Sequence, residues 1–272
     1  MPHTVRKERF EIVAGGRRLL AERLPPPAAA AGPVLVFLHE GLGSIGLWKD
    51  FPAALCRRLH RPGLVYDRWG YGGSEPLDRP RTARYLHDEA ELFLPEVLTA
   101  TGVERPVLIG HSDGGSIALL YAAAFPARPA ARVTEAAHVF VEPETLAGIR
   151  TAVEAFRTTD LKRRLARHHG DKTAGLFAAW ADTWLAPGFA SWNIEAALPH
   201  VTAPLLVLQG ADDEYGTPAQ VEAIARGVSG PVETHLLPAC AHVPHHQARA
   251  AVLELTAGFL SRVLAQPDRH GP

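Results

Sequence analysis

The chain contains only two cysteines, Cys56 and Cys240, and a single methionine among its 272 residues. Two thiols cannot build the disulfide framework of a small secreted domain, so nothing in the sequence requires an oxidising compartment. The sequence also lacks the run of about 18 apolar residues that a membrane-spanning helix needs, and no apolar run follows the charged residues 6–9 as in a secretory signal. These absences predict a cytoplasmic protein with no membrane partner.

An excess of charge of either sign is also missing. Lys plus Arg number 28 and Asp plus Glu number 29, which gives a formal net charge of −1. A chain with this balance has no electrostatic field that would attract nucleic acid. We therefore expect a small molecule as the partner and no nucleic acid, while the oligomeric state stays open.

Cofactor motifs are equally scarce. Residues 70–73, Gly-Tyr-Gly-Gly, lack the third glycine of a dinucleotide-binding loop, and no Gly-Lys-Ser/Thr is present for a P-loop. The cluster of His242, His245 and His246 is not accompanied by a further type of ligand at a recognisable metal-site spacing. We expect neither a cofactor nor a metal.

Short apolar runs alternate with longer segments of helical periodicity, which is typical of βαβ units. The sequence predicts an α/β fold with a mostly parallel, doubly wound sheet. Residues 9–13 and 18–22, on either side of Gly15-Gly16, predict an antiparallel hairpin at one sheet edge, and the proline-rich residues 25–32 predict a stiff, exposed connection. Most of the other predicted strands are continuous apolar runs, as expected of buried parallel strands. These predicted strands are 34–38, 63–66, 107–109, 136–141, 205–208 and 232–237.

Residues 144–200 interrupt this alternation. They contain no strand-like run, whereas Pro143 suits a first helical turn and both Asp160 and Asp171 suit the N-cap of a helix. We predict that this segment is a helical cap inserted into a core domain made of residues 1–143 and 201–272.

Residues 107–115, Val-Leu-Ile-Gly-His-Ser-Asp-Gly-Gly, are the most informative segment. An apolar strand runs into Gly-x-Ser-x-Gly, and an apolar helical pattern follows. A serine on such a sharp turn is forced outward, and the flanking glycines leave room for the strained backbone. The sequence predicts Ser112 as a nucleophile, against the alternative of a glycine-rich turn with an incidental serine.

A serine nucleophile needs a histidine that is oriented by a carboxylate, here in the order Ser, acid, His along the chain. Three carboxylates at 212–214 follow the predicted strand 205–208, at the sheet edge where active sites collect. His242 follows the last predicted strand and is the expected base. The acid is one of the two aspartates, Asp212 or Asp213.

The loop 39–43, His-Glu-Gly-Leu-Gly, follows the first predicted parallel strand. A tetrahedral oxyanion needs two preorganised N–H donors. We expect one from Asp113, the residue after the nucleophile, and the other from Gly41, with Leu42 as the alternative. The two cap tryptophans can line a pocket, pack the cap onto the core, or do both. The candidate pocket residues are Glu40, Leu42, His111, Trp180 and Trp184.

These segments together resemble the α/β-hydrolase superfamily, specifically its small, capped bacterial hydrolases. In that family the acid commonly lies three residues after the glycine that ends the strand, which favours Asp213 over Asp212. The family's usual His-Gly after the first strand is His-Glu here, so that Glu40 lies beside the expected oxyanion hole. We expect its side chain to face solvent, with a role in substrate choice as the alternative. The resemblance covers nearly the whole chain and rests on residues 39–43, 67–74, 110–115, 210–213 and the His242 loop.

The resemblance implies a serine hydrolase that cleaves a small carboxylic ester, thioester or lactone through an acyl-enzyme on Ser112, with Asp213 and His242 completing the triad. The serine excludes the haloalkane dehalogenases and epoxide hydrolases, which use an aspartate. Two alternatives stay open: hydrolysis of a C–C bond in a diketone, and a ligand sensor that retains the triad without turnover. Cys240 is expected to be a small packed hydrophobe and not a second nucleophile.

Overall fold

The described residues of a computed structural model, 7–25 and 32–265, form an eight-stranded sheet covered by helices on both faces. The strand order is β1-β2-β4-β3-β5-β6-β7-β8; β2 pairs antiparallel with both β1 and β4, and the remaining pairs are parallel. The predicted α/β class and edge hairpin are confirmed, whereas residues 26–31 of the predicted connection lie outside the described residues. The strands are β1 Glu8–Ala14, β2 Arg17–Leu24, β3 Val34–Leu38, β4 Gly63–Tyr66, β5 Pro106–His111, β6 Ala131–Glu135, β7 Leu205–Gly210 and β8 Val232–Leu237.

The part of the chain that the structure describes contains ten α-helices: α1 Phe51–Leu59, α2 Tyr85–Asp88, α3 Leu94–Thr101, α4 Asp113–Ala124, α5 Pro143–Thr158, α6 Leu161–His169, α7 Thr173–Leu185, α8 Pro218–Gly227, α9 Pro244–Gln247 and α10 Arg249–Leu264. A π-helical turn, Glu89–Phe93, joins α2 to α3. None of the helices within the described ranges is both long and apolar enough to cross a bilayer.

The apolar core lies on both faces of the sheet. Alternate side chains of β3 point to opposite faces, so Val36 and Leu38 belong to one buried cluster and Leu35 and Phe37 to the other. Helix α4 is buried along most of its length, since it packs directly behind β5. This double coverage fixes the carboxyl ends of the parallel strands, where the candidate site lies.

One predicted strand is wrong. The sequence placed it at 136–141, but the strand is β6 at 131–135. Hydropathy fails here because Arg132 and Glu135, both fully buried, interrupt the apolar pattern. Glu135 is satisfied by His245, far away in the sequence, so its partner cannot be read from the neighbouring residues. Residues 136–141 instead form the loop beyond the strand.

Helices α5 to α7 occupy the segment predicted to be helical. Pro143 is the first residue of α5, and Asp160 holds the N-cap position of α6, where its carboxylate pairs with Arg164. The prediction for Asp171 is wrong by one residue, because Lys172 holds the N-cap position of α7 and Asp171 lies in a 3-10 turn.

Candidate active site

Ser112 occupies a strained turn between β5 and α4. Its φ is +52° and its ψ −116°, a region that residues other than glycine rarely adopt. The backbone N–H of Ser112 donates to the carbonyl of Glu135 at the end of β6, which holds the turn in place. The side chain is therefore presented at the carboxyl edge of the sheet, as the sequence predicts for a nucleophile elbow.

The turn closes only because Gly110 and Gly114 carry no side chain. A Cβ at Gly114 would overlap the carbonyl oxygen of Leu38, and a Cβ at Gly110 would overlap the carbonyl oxygen of Gly114. Both obstacles are backbone atoms, which cannot rotate aside. The helix therefore lies so close to the sheet that no residue larger than glycine fits at position 110 or 114.

Replacing Gly114 by alanine is expected to lower the free energy of unfolding by about 4 kcal/mol or more, because the clash forces the backbone of α4 away from β3. Gly175, exposed in α7 with open space around it, is the matched control, and its alanine variant should gain about 0.5 kcal/mol. Urea denaturation of the two variants measures both changes. A loss below about 1 kcal/mol for Gly114→Ala would contradict the close packing.

Asp213, His242 and Ser112 form a continuous hydrogen-bonded chain. His242 Nδ1 lies 2.8 Å from Asp213 Oδ1, and His242 Nε2 lies 3.0 Å from Ser112 Oγ. The three residues follow β7, β8 and β5, so three parallel strands deliver them to one edge. Asp212 is exposed, whereas the side chain of Asp213 is only 1% exposed. The structure thus brings together the residues that the sequence singled out and separates Asp213 from Asp212.

The environment of Asp213 favours its ionised form. Burial is the largest single influence and opposes ionisation, but the hydrogen bond and charge of His242 and the N–H of Tyr215 together outweigh it, and the pKa of the carboxyl lies below its ordinary value. The backbone N–H of Tyr215 donates to the same oxygen, Oδ1, at 2.9 Å. A charged Asp213 fixes the His242 tautomer in which Nδ1 carries the proton and Nε2 faces Ser112 as an acceptor.

Two neighbours of Asp213 were not predicted as site residues. Glu214 Oε2 accepts the backbone N–H of His242 at 3.1 Å, and the Tyr215 ring lies 4.6 Å from the imidazole ring. Glu214 was visible only as part of an acidic run, and nothing in the sequence marked Tyr215. Both residues hold the His242 loop over the sheet edge.

The loop after β3 is anchored by a buried arginine. Arg68 is fully buried and donates through Nη2 to the carbonyl of Glu40 at 2.9 Å and to Asp113 Oδ2 at 3.2 Å. Tyr71 donates its hydroxyl to the carbonyl of Gly41 at 3.0 Å. Because both carbonyls accept these hydrogen bonds, the loop is held in place beside Ser112.

Backbone N–H groups are available on both sides of Ser112. Asp113 is the first residue of α4, so its N–H has no acceptor within the helix and lies at the positive end of the helix dipole. Gly41 and Leu42 line the cavity next to Ser112. A Cβ at Gly41 would overlap the indole of Trp180, which explains the glycine at this position.

A cavity of about 200 Å³ opens beside Ser112. Each predicted pocket residue, Glu40, Leu42, His111, Trp180 and Trp184, lines it. Six further lining residues were not predicted from the sequence. Two of them belong to α5 and four lie in loops: Thr145 and Ile149, and His138, Glu214, Tyr215 and Val243.

The expectation that Glu40 faces solvent is wrong. Its side chain is 24% exposed, lines the cavity, and places Oε2 3.4 Å from His111 Nδ1. The other ring nitrogen of His111, Nε2, lies 2.7 Å from the carbonyl oxygen of His242. Since an acceptor faces each nitrogen, only the doubly protonated imidazolium satisfies both. Glu40 is therefore held inward by a partner that lies 71 positions away.

The pKa directions of this pair agree with its geometry. For His111, burial opposes the charged form, but Glu40 outweighs it and raises the pKa above the ordinary histidine value. For Glu40, burial is outweighed by His111, and the pKa falls below the ordinary glutamate value. At neutral pH the Glu40 carboxylate is charged.

A second buried carboxylate–imidazole pair lies behind the first. Glu135 Oε2 accepts Nδ1–H of His245 at 2.8 Å, and both side chains are almost completely buried. His245 therefore supports the His242 loop from the core. Among residues 7–25 and 32–265, no group of three or more His, Cys, Asp or Glu side chains is arranged to hold a metal ion.

Comparison with known proteins identifies the family. Residues 35–255 match the model of the alpha/beta hydrolase family, and the chain belongs to that family, which supports a hydrolase activity. The putative carbamate hydrolase RutD of Variovorax paradoxus (strain S110) is 30% identical over 253 residues, covering 85% of this chain and 92% of that protein.

Other similarities are partial or concern the fold alone. The 1-acylglycerol-3-phosphate O-acyltransferase ABHD5 of Homo sapiens is 30% identical over 131 residues, 47% of this chain, and the match spans only 36% of that protein's length. The proline iminopeptidase of Mycobacterium smegmatis superposes with a TM-score of 0.72 at 23% identity, covering 94% of this chain and 98% of that one.

Proposed function

We propose that the protein is a serine hydrolase that cleaves a small carboxylic ester, thioester or lactone. Ser112 is the nucleophile, His242 the general base and Asp213 the acid that orients it. The observation that carries the proposal is the hydrogen-bonded chain from Asp213 through His242 to Ser112 Oγ, which ends at an open cavity. Neither a metal nor a cofactor takes part in the proposed reaction, and the partner is a small molecule.

In the first half of the reaction, His242 Nε2 takes the proton of Ser112 and the hydroxyl oxygen attacks the acyl carbonyl. The N–H groups of Gly41 and Asp113 stabilise the oxyanion, and Asp213 stabilises the imidazolium. His242 then gives its proton to the leaving group, and the acyl-enzyme remains on Ser112. Water, deprotonated by His242, attacks the acyl-enzyme and releases the acid and free Ser112.

The cavity limits the substrate to a small acyl compound. Its volume of about 200 Å³ suits a few non-hydrogen atoms beyond the reacting carbonyl. Ile149, Trp180 and Trp184 supply an apolar wall from α5 and α7. We therefore assign residues 144–200 as a cap that shields the acyl group from water, on a core of residues 1–143 and 201–272.

Intact-mass labelling with a fluorophosphonate tests the proposal without a guess about the substrate. We expect one label per wild-type chain, none on Ser112→Ala, and full labelling of Ser229→Ala, an exposed serine that serves as the matched control. Folded wild type that takes up no label would refute the activated serine and favour a ligand sensor. Assaying simple esters beside a diketone cleavage substrate then separates ester from C–C hydrolysis.

A further inference from the structure

His138 lines the cavity as a neutral ring. The ring lies just beyond β6, is 3% exposed and lines the cavity beside Ser112. Its Nε2 lies 3.0 Å from the carbonyl oxygen of Tyr215, so this nitrogen carries the proton and donates it. Burial lowers the pKa of the ring and keeps it neutral. Nδ1 is therefore a bare acceptor, and within the described part of the chain it has no hydrogen-bond partner. His138 therefore adds no positive charge to the cavity wall.

Glu40 adds a fixed negative charge to the same cavity. His111 holds only one side of the carboxylate, and the remaining surface of the side chain faces the cavity. Because His111 is anchored to the carbonyl of His242, the carboxylate cannot swing out to solvent without leaving its partner. Glu40 is thus a preorganised acceptor close to the reacting serine.

The charges around the cavity remain negative after the ion pairs are taken into account. His111 pairs with Glu40 and Arg68 pairs with Asp113, but Glu214 also lines the cavity, and among the described lining residues none is a lysine or an arginine. Asp113 is held from behind by Arg68 and Tyr85. The rings of Trp180, Trp184 and Tyr215 complete the wall, and aromatic faces attract cations.

We propose that this cavity selects acyl substrates that carry a protonated amine, with Glu40 supplying the countercharge. The inference rests on the proposed serine-hydrolase function. An ammonium group offers N–H donors and a positive charge together, which no neutral or anionic acyl group does. A substrate carboxylate in the same place would face Glu40 directly and is rejected.

Three ethyl esters with acyl chains of similar length test the charge preference: ethyl β-alaninate, ethyl butanoate and monoethyl succinate. We expect kcat/KM at neutral pH to be highest for β-alaninate and lowest for succinate, with a ratio between them on the order of 100-fold. A wild-type enzyme that hydrolyses all three within a factor of about three would overturn the inference and leave the proposed hydrolase intact.

One conservative variant locates the preference. Glu40→Gln should reduce the β-alaninate to succinate ratio by about tenfold or more, because it removes the charge and keeps the shape. Glu254→Gln, on the outer surface of α10, is the control and should keep the ratio. An unchanged ratio in Glu40→Gln would refute the assignment.

Binding to Ser112→Ala gives an answer that does not depend on turnover. Trp180 and Trp184 lie in the cavity wall, so tryptophan fluorescence reports binding. Tighter binding of ethyl β-alaninate than of monoethyl succinate supports the inference even if wild type hydrolyses neither ester, in which case only the proposed function fails. Equal binding of the two esters would refute the inference.

Discussion

Replacing Ser112 by alanine is expected to lower kcat for a small ester by about a millionfold, because the triad acts as a unit and the remaining residues supply no substitute nucleophile. His242 would keep its hydrogen bond to Asp213, but no hydroxyl group would lie opposite its Nε2 atom. The residual rate should come from the oxyanion hole and substrate binding alone. Initial rates under saturating substrate, with circular dichroism to verify folding, measure the loss.

Cys240 provides the control for this result. It lies two residues before His242, is buried, and burial raises the pKa of its thiol, so it stays protonated. Cys240→Ala should therefore keep kcat within a factor of about three. If Ser112→Ala retained more than about 1% of wild-type kcat, the nucleophile would have to be a different residue.

The sharp turn at Ser112 could be predicted because local geometry determines it. A serine between two close-packed glycines, with a strand before and a helix after, leaves a pattern in nine consecutive residues. The same holds for the edge hairpin, where the Gly15-Gly16 turn lies between two strands. These features need no knowledge of distant partners.

The features that the sequence concealed all depend on buried polar pairs between distant segments. β6 was misplaced because Arg132 and Glu135 are charged residues in a buried strand. Because of that error His138 was placed inside a strand. With the correct strand end at Glu135, His138 would have been expected in the loop at the carboxyl edge of the sheet, where ligands bind. The side chain of Glu40 was expected to face solvent because its partner, His111, is distant in the sequence and no neighbouring residue indicates the pairing.

Arg68 and Asp113 show the same limit in the loop 39–43. The guanidinium of Arg68 fixes the carbonyl of Glu40 and the carboxylate of Asp113 together, and nothing in the loop sequence indicates this partner. A charged side chain at zero exposure contradicts the usual expectation from hydropathy. Its position is explained by the acceptors that the segments after β3 and β5 bring to it.

Asp213→Asn is expected to lower kcat by about ten-thousandfold while leaving the fold intact. The amide fits the same space, but its N–H₂ group cannot accept from His242 Nδ1, and an amide oxygen no longer stabilises the imidazolium. The imidazole is then driven toward the tautomer with the proton on Nε2, which cannot take the proton of Ser112. Asp212→Asn is the matched control: its carboxylate is exposed, and kcat should stay within a factor of about three. Initial rates of the two variants, measured beside their thermal unfolding, decide between the adjacent aspartates. Equal losses in the two variants, or a larger loss in Asp212→Asn, would show that Asp213 does not orient the base.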